Sequence, residues 1–190
     1  MIDLSKALPG SLPDGFTTAR TGSGAPGEWR VEADTSVAGG RVLAQTSSDQ
    51  TDYRFPLAIY EKLTAANVDV TVRFKAVAGR VDRAGGIAIR LVDPNNYYVV
   101  RANALEDNVN FYRVVKGSRQ EIKGVSAKVA SDVWHALDLK AEGDTFSVSF
   151  DGKVLFTAAD RTFTDAGKVA LWTKADSVTR FDALSIRTLP

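Results

Sequence analysis

The chain has 190 residues, is 44% hydrophobic and 25% charged, and carries a net charge of +1. That is enough apolar material for one buried core, with neither the basic footprint of a nucleic-acid binder nor an apolar run long enough to span a membrane. It has no cysteine and one histidine, which excludes disulfides, a cysteine nucleophile and thiolate metal sites.

Residues 1–28 are rich in Gly, Pro, Ser and Thr and are expected to form an N-terminal arm, anchored by Phe16, ahead of a single domain over residues 29–190. No leader is visible at Met1-Ile2-Asp3-Leu4. Trp29, Val31 and Val42-Leu43-Ala44 begin the strands, with Gly39-Gly40 as a turn. Around Tyr53–Tyr60 the pattern is irregular: Pro56 argues for an edge strand or a break, and Leu57–Leu63 fits either a helical turn or a strand. Val68, Val70, Val72 and Phe74 alternate with Asp69, Thr71, Arg73 and Lys75 as a half-buried strand does.

From Arg83 to Lys123 the chain reads as consecutive antiparallel strands: Gly86–Val92, Tyr97–Ala104, Asn108–Val115 and a fourth at Ser118–Ile122. Turn chemistry lies at Asp93-Pro94-Asn95-Asn96, Leu105-Glu106-Asp107 and Lys116-Gly117. Alternation assigns Ile87, Ile89, Leu91, Tyr98, Val100, Ala102, Val109 and Phe111 to an apolar face. The opposite face receives Arg90, Arg101, Asn103, Asn108, Asn110 and Tyr112, with Val92, Tyr97 and Val99 beside them. Such a face is either the solvated side of an antiparallel sheet or a groove for a hydroxyl-rich ligand.

Lys123–Asp132 reads as a loop. Trp134–Ala141, Thr145–Phe150 and Lys153–Ala158 follow as strands, the last two joined by Asp151-Gly152, a strong hairpin signal. Gly167–Thr173 and Val178–Thr188 close the chain, the last with an uncertain register. Many short strands with no long amphipathic helix predict an all-β fold, a two-sheet antiparallel sandwich or barrel.

Several stretches resemble those of concanavalin A-like, laminin-G-like jelly rolls. These are Gly85-Gly86-Ile87-Ala88-Ile89-Arg90, the Trp134-led strand with its hairpin through Asp151-Gly152, Gly167–Trp172 and Phe181–Leu184. The nearest kin by this reading are the bacterial 3-keto-disaccharide hydrolase domains. The resemblance covers about residues 29–188 and implies two packed sheets with the ligand in the concave one. It also implies export to the periplasm or the medium, with Met1 either a true start or the replacement of a removed leader, and it leaves room for a structural calcium.

Chemistry is harder to find. The Glu-x-Asp-x-x-Glu strand of related glucanases, which would set two carboxyls at glycosidase spacing, is missing; Glu32-Ala33-Asp34 is only a partial match. His135 follows Trp134 at a strand start and reads as structural. No nucleophile elbow, phosphate loop or dinucleotide fingerprint is present. Asp182, approached by Glu32 or Asp34, is the candidate calcium position. Trp172-Thr173-Lys174-Ala175-Asp176-Ser177 puts an aromatic beside hydrogen-bonding groups, which is how a sugar ring is held, although a sandwich tryptophan is usually core.

The expectation is therefore a recognition domain without a cofactor. It takes a glycan or another polyhydroxylated or anionic small molecule through Arg90, Arg101, Asn103, Asn108, Asn110, Tyr112, Trp172, Lys174 and Asp176. The alternatives are a sugar-active hydrolase or lyase using Glu106, Asp176 or Tyr112, and a purely structural domain.

Overall fold

The computed structural model describes residues 1–190. In chain order the strands are β1 Phe16–Gly22, β2 Trp29–Ala33, β3 Arg41–Gln45, β4 Arg54–Ala65, β5 Val68–Ala78, β6 Ala84–Asp93 and β7 Asn96–Asn103. They continue as β8 Asn108–Val115, β9 Ser118–Ser126, β10 His135–Glu142, β11 Thr145–Phe150, β12 Lys153–Ala159, β13 Gly167–Trp172 and β14 Val178–Thr188. They form two seven-stranded antiparallel sheets, a front sheet β1-β4-β13-β6-β7-β8-β9 and a back sheet β12-β11-β10-β5-β14-β3-β2. This is the jelly-roll sandwich that the resemblance to concanavalin A-like domains implies. No helix is long and apolar enough to cross a membrane.

Between the sheets lies one core of 28 buried residues. Val68, Val70, Val72 and Phe74 of β5 face Ile87, Ile89, Tyr98, Val100, Ala102, Val109 and Phe111 of the front sheet. Alternation thus selects the inward side chains of β6, β7 and β8 with one exception, Leu91. Two hairpins owe their register to two-residue turns: Lys116 and Gly117 have φ of 50° and 79°, Asp151 and Gly152 of 49° and 78°. Left-handed backbone at both central residues matches the twist of the flanking strands.

Several local readings change, and two open ones are settled. Phe16–Gly22, inside the expected arm, is a strand that pairs along its whole length with β4. Pro56 therefore lies in an interior strand rather than at an edge; β1 covers one flank, and its carbonyl accepts the Thr173 N–H across the other. Leu57–Leu63 is strand throughout, and β9 runs on to Ser126. The uncertain register of β14 has a cause: the ladder shifts between Asp182 and Ser185, and Ala183 takes φ of 51°. The bulge lets Phe181 and Leu184 both enter the core.

Candidate ligand-binding face

The outer side of the front sheet is a curled surface with an apolar half and a polar half. β1 and β7 stand four strand steps apart, about 19 Å in a flat sheet. Yet the Thr21 hydroxyl lies 2.8 Å from the Tyr97 hydroxyl and 2.5 Å from the Pro94 carbonyl, and Trp172 Nε1 lies 3.3 Å from the same tyrosine oxygen. Only strong concave curvature brings these side chains together. A second cluster of 12 buried residues fills the hollow, including Phe55, Leu57, Leu91, Tyr97, Val99, Tyr112 and Trp172. Burial pushes the Tyr97 phenol up to about 12. Tyr53 latches the rim: its hydroxyl donates to the Gly117 carbonyl and accepts the Arg119 N–H.

Beyond this plug the face turns polar. Register sets Gly86, Arg101, Asn110 and Gly124 side by side, with Asn103 beside Asn108 in the next row. Arg101 is 3% exposed. It donates to Asn108 Oδ1 at 2.6 Å, Glu106 Oε2 at 2.8 Å and the Tyr112 hydroxyl at 3.0 Å. The Asn110 amide donates to Tyr112 and to Glu121 Oε2. Gly124 gives Asn110 its place, because a Cβ there would stand 2.4 Å from the amide oxygen. The Glu106 side chain remains 48% exposed. Burial tends to raise its carboxyl, but the Asn108 amide and the Arg101 guanidinium outweigh that and hold it below the ordinary value.

An ion network that runs from the buried Asp82 out to the exposed Asp52 borders this cluster. Lys174 Nζ reaches Asp52 at 2.6 Å and Asp82 at 3.0 Å, and Asn103 donates to the other Asp82 oxygen. Burial raises the Asp82 carboxyl despite Lys174. Burial also works against the Lys174 ammonium, but Asp52 and Asp82 win and raise it. The face therefore has several anchored hydrogen-bonding groups whose rotamers are fixed by their neighbours, as recognition requires.

The residues singled out from sequence separate into two groups. Arg101, Asn108, Asn110 and Tyr112 converge, with Lys174 on their border and Asn103 behind them, 0% exposed. Arg90, Trp172 and Asp176 do not offer a ligand surface. Arg90 has φ of 47°, which exchanges the sides of Arg90 and Leu91. Its guanidinium lies over Phe146 of the back sheet and donates to the carbonyls of Ala66, Phe163 and Gly143. Trp172 is fully buried in the plug. Asp176 accepts the backbone N–H groups of Arg80, Val81 and Asp82. These bonds hold it below the usual carboxylate range although burial acts the other way. The turn it caps requires Gly79, at φ of 143°, where a Cβ would meet the Asp82 carbonyl at 1.8 Å.

His135 is structural: Nδ1 is 2.7 Å from Asp151 Oδ2, and the Ala130 N–H points to Nε2. Asp34 and Glu32 are ion-paired with Arg180, and Asp182 with Arg73. No group of three or more His, Cys, Asp or Glu side chains is placed to hold a metal ion. Arg119, Glu121 and Asp82, which strand alternation in the stretch to Val115 did not reach, complete the face.

A two-sheet jelly roll of this topology is a concanavalin A-like β-sandwich. Residues 57–189 match the model of the galactocerebrosidase C-terminal lectin domain, and the chain belongs to that family. Among solved structures it is similar to the carbohydrate-binding module CBM66 from Bacillus subtilis, with a TM-score of 0.72, 19% identity and coverage of 92% of this chain and 96% of that one. Bacillus licheniformis β-glucanase has a TM-score of 0.61 and 14% identity, with 95% of each chain covered. Chicken galectin 2 gives 0.50 and 11%, covering 66% of this chain and 94% of that one. At these identities the likeness concerns the fold. No curated protein sequence matches the chain.

Proposed function

We propose that the domain is a carbohydrate-recognition module and that the polar half of its concave face binds the sugar. The observation that carries this is the convergence of Arg101, Asn108, Asn110 and Tyr112 from two neighbouring strands onto one patch, next to the half-exposed Glu106. Paired donors and acceptors fixed in place suit vicinal hydroxyls. Membership of a lectin-domain family supports the same reading. The ligand takes the place of solvent at the Glu106–Asn108 rim, not of Trp172.

The reading is non-catalytic. Asp176 is saturated by three backbone donors, and Glu106 is held by Arg101 and Asn108. It also works without a bound cation, since the carboxylates of the face are engaged by cationic or amide side chains. A periplasmic or secreted setting belongs to this proposal and is checked by fractionating the native source.

A glycan array with the wild-type domain, repeated with Asn108→Ala, tests the assignment. Binding that survives chelator, releases no product and weakens at least about tenfold in the variant supports it. Binding untouched by Asn108→Ala and Arg101→Ala would move the site elsewhere, and release of reducing sugar would make the domain an enzyme.

A further inference from the structure

The cations of the concave face are not equivalent. Arg101 is ion-paired with Glu106 and also donates to Asn108 and Tyr112. Lys174 is shared by Asp52 and Asp82. Arg119 reaches in from β9 and rests its guanidinium among three rings, 4.5 Å from Tyr112, 4.9 Å from Phe55 and 5.8 Å from Trp172. Its side chain takes part in no salt bridge, and Nη1 is buried without a hydrogen-bond partner.

That is unlike the arginines this chain uses as struts. Arg54 donates to the carbonyls of Ala25, Ala175 and Pro26, and Arg90 to three others. Rings satisfy the faces of a guanidinium by cation–π attraction but leave its in-plane N–H fork unused. The acids around Arg119 are committed elsewhere: Asp52, which feels its charge, pairs with Lys174, Glu106 with Arg101, and Glu121 accepts the Asn110 amide. The residue itself is partly exposed at the rim.

We infer that the ligand carries an oxyanion, a carboxylate or a sulfate ester on the sugar, and that Arg119 receives it. The inference rests on the carbohydrate reading above and adds the ligand's charge class. Tyr112 joins the two subsites: its hydroxyl bonds Arg101 and Asn110 of the hydroxyl-binding cluster, and its ring supports Arg119. A fork held between rings is oriented in advance for a planar, two-point contact with an oxyanion.

Titration calorimetry with matched glycan pairs provides the test: oligogalacturonate against neutral oligogalactan, and a sulfated galactan against its desulfated form. The wild-type domain is expected to bind the acidic member of at least one pair about tenfold more tightly or better, with affinity falling as salt rises. The responding pair tells carboxylate from sulfate. Arg119→Gln should erase the difference between the acidic and the neutral member, and Arg119→Lys should retain part of it. Equal affinities within both pairs for the wild-type protein, with Asn108→Ala still weakening binding, would overturn the inference and leave the carbohydrate reading standing. Absence of binding to any glycan, on these pairs and on the array, would remove both.

Discussion

Arg90 and Arg101 stand on adjacent strands of one hairpin, and alternation assigns them to the same face. They end in opposite roles. Around Arg90 the chain makes a bulge, a left-handed residue and a clamp on three carbonyls between the sheets. Around Arg101 the ladder is regular, and the guanidinium meets side chains at the rim of the hollow. Burial does not distinguish them, at 2% and 3% exposed. Their partners do. Backbone carbonyls cannot move away when the arginine is removed, whereas Glu106 and Asn108 can turn to water.

The sharpest way to break this comparison is Arg90→Ala. Three carbonyls would lose a charged donor, and we expect a loss of about 3–4 kcal/mol in urea unfolding, with ligand affinity unchanged while the variant is folded. A loss below about 1 kcal/mol would show that the clamp is incidental. Trp172→Phe comes next: if the indole is plug rather than sugar platform, stability falls by about 1–2 kcal/mol and binding persists. Loss of binding at full stability would return Trp172 to the site. Arg101→Ala should reverse the Arg90 pattern, with about 1 kcal/mol of stability lost and binding reduced at least about tenfold.

The smallest effect concerns acid. Asp176 is held below its ordinary value, so its contribution is complete above the unfolded carboxylate range and disappears as pH falls through the lowered folded value. The melting temperatures of wild type and Asp176→Asn should differ at pH 6 and converge between about pH 4 and pH 2. A gap that stays constant over that range would show that Asp176 contributes nothing through ionisation.

The sheet-level reading was legible because its signals are local. Val68 to Phe74 alternate cleanly, Asp151-Gly152 and Lys116-Gly117 set two-residue turns, and seven of eight inward side chains from Ile87 to Phe111 follow by parity. Leu91 escaped because a positive φ at an arginine leaves no mark in composition. Trp172 and Asp176 were misassigned for a different reason: curvature and a capped turn decide their surroundings, and both are long-range. Arg119 could have been found. Val115 and Ser118 flank the Lys116-Gly117 turn, so Val114 faces Arg119, and parity then places it on the side of Tyr112. The polar alternation of Ser118–Ile122 concealed it as an ordinary edge strand.

The contacts that curl the front sheet also bear on how the molecule assembles. Thr21 meets Pro94 and Tyr97 across 73 and 76 positions of chain, while β6 to β9 are joined by successive hairpins. Closing so long a loop is entropically costlier than zipping neighbouring strands. The hollow is thus completed after the β6–β9 hairpins, once β1 and the still more distant β13 have docked, and a ligand that recognises it reports a late stage of folding rather than the first. In stopped-flow refolding, Trp172 fluorescence would reach its native value together with ligand competence, after most strand structure has formed.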